Sequence, residues 1–139
     1  MERSKLNDMQ FGSTVLFVED VEGVIAFYEK AFGFKAKFYD RAFGFAIIKA
    51  GGPEIGFASH TAGEQMMPGE FVPPQNGNPE GVEIAFYTDD VKAAYNKAIE
   101  AGAKSLAEPK AMSWGQTVAY VRSVEGTVVG FCTPLGSKA

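Results

Sequence analysis

The sequence predicts an α+β fold made of two βαβββ modules, and an internal repeat is the chief reason. Ser13-Thr14-Val15-Leu16-Phe17 lies over Glu83-Ile84-Ala85-Phe86-Tyr87 at an offset of 70 residues, and Asp20-Val21 lies over Asp90-Val91. Each copy is an apolar run, then an aspartate, then a helix-spaced segment closed by glycine. A second echo, Glu54-Ile55-Gly56-Phe57-Ala58 over Val128-Val129-Gly130-Phe131-Cys132, is offset by 74 residues. A segment repeated in the same order implies two similar supersecondary units that bury their apolar faces against each other.

The elements follow in order. Residues 11–18 form a β-rich run, and Asp20 is placed to cap the next helix with its carboxylate. Val21, Val24, Ile25, Tyr28, Ala31 and Phe32 recur at helical spacing, so one face packs on a sheet, and Gly33 stops the helix. Strands are expected at about Phe34–Tyr39, Phe43–Ala50 and Glu54–Ser59, separated by Asp40-Arg41 and Gly51-Gly52-Pro53. Residues 60–80 hold four of the seven prolines and show no sustained period, which reads as a loop or linker. The segment reads first as a tether packed on the surface between the modules; the alternative is a lid, for which Met66, Met67, Phe71 and Val72 would supply an apolar side.

The second module repeats the plan: a strand at Val82–Tyr87, a helix capped by Asp89 or Asp90 with Val91, Ala94, Tyr95, Ala98 and Ile99 inward, and Gly102 at its end. Lys104–Ala107 reads as a short strand, Glu108–Gly115 as a loop, and Thr117–Arg122 and Thr127–Thr133 as a hairpin. The chain is thus a single domain over 1–139, with module 1 at about 9–60, the linker at about 61–80 and module 2 at about 81–135.

Composition narrows the functional classes. At 139 residues a single core can bury roughly 68–70% of the unfolded surface. A net charge of −4 and a pI near 5.0 disfavour nucleic acid, which calls for a basic stripe. The lone cysteine, Cys132, excludes a disulfide framework and reads as an inert thiol in a strand. The polar start MERSKLNDMQ has no signal-peptide core, and no apolar run approaches the roughly 20 residues that cross a bilayer. These features place the protein in the cytoplasm with no membrane partner. Phosphate-loop, Ser–His and Cys–His signatures are absent.

The order βαβββ twice, with FVEDVEGVIAFYEKAFGFK after the first strand and WGQTVAYVRSVEGTVVGF near the end, resembles the glyoxalase, bleomycin-resistance protein and extradiol dioxygenase superfamily. The resemblance spans about Phe11 to Pro134. It implies two sheets curled around a cup-shaped cavity, a homodimer, and in many members a divalent metal held by one residue from each of four strands. Those positions fall here on Ser13, Gly56, Glu83 and Gly130. Only Glu83 is a competent ligand, whereas a catalytic site wants about three His, Cys or carboxylate ligands, and the single histidine, His60, lies beyond the Gly56 position. Metal-dependent glyoxalase or dioxygenase chemistry is therefore disfavoured, and neither metal nor cofactor is expected.

What remains is an apolar cup with few polar groups. Strand alternation puts Ser13, Val15 and Phe17 on one face, and Glu83, Ala85 and Tyr87 on another. Gly56 and Gly130 leave room, or permit close strand packing. Glu83 needs a partner in such a place: an internal Arg or Lys, with Arg41 and Arg122 available, a cationic or hydrogen-bond-donating ligand, or a substrate proton for which it acts as base. Trp114 stands at a loop-to-strand entry, as a stacking platform or as a packed rim residue. Phe38, Tyr39, Phe43, Phe45, Tyr87 and Tyr120 add aromatic lining. The expected ligand-binding set is Glu83, Ser13, Trp114, Phe17, Tyr87, Tyr120, Gly56 and Gly130. The expected ligand is a hydrophobic or cationic small molecule, such as an aromatic antibiotic sequestered by a metal-free binding protein. The alternative is an enzyme (lyase, isomerase or dioxygenase-like) that uses Glu83 or a metal held by other groups.

Overall fold

In the computed structural model, which describes residues 11–73 and 82–134, two four-stranded mixed sheets enclose a shared core with their helices. The first holds β1 (Ser13–Val18), β2 (Ala36–Asp40), β3 (Phe45–Lys49) and β4 (Glu54–Ser59) in the order β1-β4-β3-β2. The second holds β5 (Glu83–Tyr87), β6 (Lys104–Ala111), β7 (Thr117–Arg122) and β8 (Val128–Cys132) in the order β5-β8-β7-β6. Outer strands β1 and β5 run parallel to β4 and β8; the other pairings are antiparallel. The repeat extends to register, for Val15 stands opposite Gly56 as Ala85 stands opposite Gly130. The fold is the predicted α+β pair of βαβββ units.

Helices α1 (Val21–Phe32) and α3 (Val91–Ala101) end where their signals said they would. Asp20 accepts from Gly23 N and Asp90 from Ala93 N, while Gly33 and Gly102 adopt the left-handed conformation that closes each helix. The buried face of α1 is Val21, Val24, Phe27, Tyr28 and Ala31, so Phe27 joins the expected set. Burying a side chain of this size stabilises the fold by about 1.5–3 kcal/mol.

The linker is not structureless. Ser59 caps a third helix, α2 (His60–Met66), through Ala62 N, and the helix stops one residue short of Pro68. Seven residues are too few to show a period, and proline disfavours helical geometry in the residue before it. The segment expected to be a loop at Glu108–Gly115 is strand as far as Ala111. Pro109 is tolerated because β6 is a sheet edge, with a register shift between Ala107 and Lys110. The polar start at 1–10, the later part of the linker (74–80) and the expected module limits at 9, 81 and 135 lie outside the described residues.

The two modules meet through their helix-bearing sides. Phe32 of α1 packs on Phe86 and Phe131 of the second sheet, with ring centroids 5.2 and 5.9 Å apart. One buried cluster runs through both modules, from Val18, Ile48, Ile55 and Phe57 to Val121, Val129 and Phe131. Tyr28, fully buried in α1, donates to Glu125 Oε2 in the β7–β8 hairpin at 2.9 Å. Because strand side chains alternate, the opposite face of each sheet turns away from this core.

Candidate functional site

The outward face of the second sheet carries the polar group. Glu83, Ala85 and Tyr87 of β5 stand beside Val128, Gly130 and Cys132 of β8, with Tyr120 of β7 opposite Gly130. The Glu83 side chain leans diagonally across the sheet. A Cβ added to Gly130 would sit 2.8 Å from Glu83 Oε2 and 3.0 Å from Tyr120 Cε1. The glycine is therefore the floor on which this carboxylate rests beside the phenol ring, a close approach that only the smallest residue permits. Burial, followed by the Glu83 charge, raises the Tyr120 phenol above its ordinary value. The same two causes, in that order, raise Cys132. The thiol is thereby held protonated, as its reading as an inert group requires.

Among the described residues Glu83 makes no ion pair. The two arginines proposed for it are engaged elsewhere: Arg41 Nη1 pairs with Glu22 Oε1 at 2.6 Å and lies over the Tyr39 ring, while Arg122 Nη1 donates to Gly126 O at 3.1 Å. The reading in which Arg41 or Arg122 neutralises Glu83 is thus corrected: the one guanidinium pairs with Glu22 and the other donates to Gly126 O.

The outward face of the first sheet is apolar over most of its area, with Ser13, Glu54 and Lys49 in a polar row at one end. Ser13, Val15 and Phe17 of β1 lie beside Glu54, Gly56 and Ala58 of β4, then Phe45 and Ile47 of β3 and Phe38 of β2. A Cβ on Gly56 would stand 3.2 Å from both Val15 Cγ2 and Phe45 Cε1, so this glycine serves tight side-chain packing rather than open space. Phe38 and Phe45 face each other at 6.1 Å, and Phe38 is 48% exposed. Phe17 is covered in part by Phe71, whose ring centroid lies 5.0 Å away. Sequence reasoning placed Phe71 in a lid but gave it no partner; the β1 alternation that turns Phe17 outward was the available signal.

Trp114 is 60% exposed on the β6–β7 loop, yet its orientation is fixed. Its Nε1 donates to Gln116 Oε1 at 2.8 Å, and Gln116 Nε2 donates to the Thr133 carbonyl at 2.6 Å, one residue beyond Cys132. Tyr87, opposite Cys132 and 65% exposed, stands on the same sheet. Gln116, absent from the expected set, is the residue that positions the indole. The structure thus groups the eight expected residues in two sets: Glu83, Tyr87, Tyr120 and Gly130, with Trp114 on the adjoining loop, and Ser13, Phe17 and Gly56. Within one chain these sets lie on opposite sides of the core. A cleft of about 480 Å³ between Asp20, Phe27 and Val124 follows the seam of the modules on the helix side and contains none of them.

A family model described as Glyoxalase/Bleomycin resistance protein/Dioxygenase superfamily matches residues 10–131, nearly all of the domain. The chain belongs to that superfamily. Solved structures share the fold. A glyoxalase-related enzyme from Fulvimarina pelagi is 16% identical with a TM-score of 0.75, over 90% of this chain and 88% of its own. A superfamily enzyme from Burkholderia phytofirmans PsJN is 23% identical with a TM-score of 0.74, over 88% and 96%. The hypothetical protein SA1046 from S. aureus, also 23% identical, has a TM-score of 0.74 over 93% and 97%. No curated protein matches the sequence at a significant level. Identities this low establish the fold and leave the chemistry to the site.

The divalent metal of this superfamily does not suit the residues present. Of the four positions that would hold it, Ser13, Gly56 and Gly130 offer a hydroxyl and two hydrogens, and the space above Gly130 is filled by Glu83 itself. Among the described residues no group of three or more His, Cys, Asp or Glu could hold an ion. Exchanging modules between copies does not help, since the same four positions would meet. No helix described is long and apolar enough to cross a membrane.

Proposed function

We propose that this superfamily member is a metal-free binding protein for a planar, cationic small molecule of the aromatic-antibiotic kind. The observation that carries the reading is the Glu83 carboxylate, laid over Gly130 beside Tyr120 on an exposed sheet face and paired with no cation of its own chain among the described residues. A carboxylate among aromatic rings suits a flat cation: the charge meets the carboxylate, and the ring meets Tyr87, Tyr120 or the held indole of Trp114. The site is completed by a second copy. The apolar outward face of module 1, with Val15, Phe38 and Phe45, covers the outward face of module 2 of its partner, and the twofold relation makes two such sites. Titration of Trp114 fluorescence with bleomycin- and mitomycin-like compounds tests the reading. Saturable quenching in the micromolar range supports it; no change with any of them sinks it.

One observation favours a second reading. Tyr120, its phenol kept protonated by burial and by Glu83, stands beside the carboxylate, so a base and a hydrogen-bond donor face the same space. Metal-free proton transfer in a lyase or isomerase would use that pair. Turnover of a carbonyl substrate that is abolished in Glu83→Gln and retained in the presence of chelator would favour it over simple sequestration.

A further inference from the structure

We infer that Phe71 is the end wall of the ligand site, a side chain from beyond α2 that is seated on the outward face of module 1 and limits the size of the ring system admitted there. This rests on the binding reading above.

The seat has two sides. On one, Phe71 packs on Phe17, which the β1 alternation turns out of the core and onto the same face as Val15. On the other, Gly63 of α2 has no side chain, and a Cβ there would come within 2.6 to 2.8 Å of three Phe71 ring atoms. His60, at the start of the same helix, adds its ring at 5.9 Å. The backbone holds the wall in place: Met67 N donates to Gly63 O, Phe71 N donates to Met67 O, and Gly69 N donates to Glu64 Oε2. Met67 and Val72 around it are 41% and 76% exposed, so Phe71 is the apolar side chain of this segment that turns inward. Its neighbours on the sheet are rings and aliphatic groups, the lining that a flat ligand would slide along. A side chain fixed at one end of such a lining stops that slide by steric exclusion, and a fused ring too many meets it edge-on.

The test compares two planar cations differing by one fused ring, N-methylquinolinium and N-methylacridinium, by calorimetric titration of the full chain. In Phe71→Ala the wall is removed; in Gly63→Ala the new methyl group evicts the ring while Phe71 itself is kept. Both variants should raise the affinity for the three-ring cation relative to the two-ring cation by roughly tenfold, the scale of one added apolar group in a fitted pocket. Phe71→Tyr, which keeps the ring, should retain the wild-type ratio. A ratio that stays at the wild-type value in both Phe71→Ala and Gly63→Ala, with folding confirmed by near-ultraviolet circular dichroism, overturns the assignment and leaves the binding reading standing. If the wild type binds neither cation, the binding reading fails first, and the end wall goes with it.

Discussion

The Glu83 carboxylate occupies the space that a side chain on Gly130 would need, with its Oε2 2.8 Å from where a Cβ would stand. Two substitutions separate its position from its charge. Glu83→Gln keeps the shape and removes the charge, so affinity for a planar cation should fall roughly tenfold to a hundredfold, the loss expected for one charge-assisted contact. Gly130→Ala keeps the charge and moves it. The carboxylate lies at the end of a flexible side chain and can swing aside, while the Tyr120 ring, 3.0 Å from the new methyl group, must shift slightly, so the cost to stability should be about 1–3 kcal/mol. Affinity should nevertheless drop by a similar factor. Titration calorimetry and thermal melts of both variants check this, and a Gly130→Ala protein that binds like wild type would show that the resting place of the carboxylate is immaterial.

A second prediction concerns the join between modules. Tyr28 is fully buried and donates to Glu125 Oε2, while Glu125 Oε1 is buried with no partner among the described residues. A phenylalanine in place of the tyrosine would strand both carboxylate oxygens, so Tyr28→Phe should lose about 1–3 kcal/mol in urea denaturation at neutral pH. Burial, and next the Glu125 charge, push the Tyr28 phenol well above its ordinary value. The folded protein therefore keeps a proton that the unfolded chain gives up near pH 10. The corresponding stability is complete below that pH and declines as pH rises toward the folded value, by about 1.4 kcal/mol per pH unit. Wild type should lose stability faster than Tyr28→Phe between pH 10 and 11. Parallel slopes for the two proteins would contradict the assignment.

These two relationships mark what the sequence could and could not reveal. Asp20, Gly33, Asp90 and Gly102 announce both long helices because capping is local chemistry, read within a few residues. The repeat supplied the topology, and even register follows it, as Val15 opposite Gly56 and Ala85 opposite Gly130 show. The partners of side chains were another matter. Tyr28 and Glu125 are 97 positions apart and belong to different modules. Glu83 reaches Gly130 only by leaning across its strand pair, a rotamer that no spacing rule gives. Arg41 and Arg122 looked available to Glu83 because a sequence does not say which acceptor is nearest. The short α2 carries too few residues to display a period, and its bearing on Phe71 emerged only from the packing of Gly63.

The donor set makes a direct prediction about metal. With Glu83 the one competent ligand among Ser13, Gly56, Glu83 and Gly130, binding of a first-row dication should be weak and non-stoichiometric. Protein purified without chelator and analysed by plasma mass spectrometry should carry well under one equivalent of nickel, zinc, manganese or iron. Addition of nickel or zinc should leave the melting temperature unchanged, since a ligand that binds the folded state raises it by mass action. One equivalent of metal retained through gel filtration, and lost in Glu83→Gln, would refute the donor argument.

The last prediction concerns the second copy. Val15, Phe38 and Phe43 are 37%, 48% and 39% exposed, and the first two lie on the outward face of module 1. A face of this kind calls for a cover, and the outward face of module 2 is built from four strands in the corresponding order, because the two modules are repeats. Wild type should sediment as a dimer at micromolar concentration. Phe38→Asp puts a charge on that face without touching the helix-side core, so the variant should sediment as a folded monomer with near-native far-ultraviolet circular dichroism. Since the proposed site takes one wall from each copy, the monomer should also lose binding of planar cations, although Glu83, Tyr120 and Trp114 are all intact. A monomeric variant that still binds would place the entire site on module 2; a wild type that sediments as a monomer would remove the partner from the account altogether.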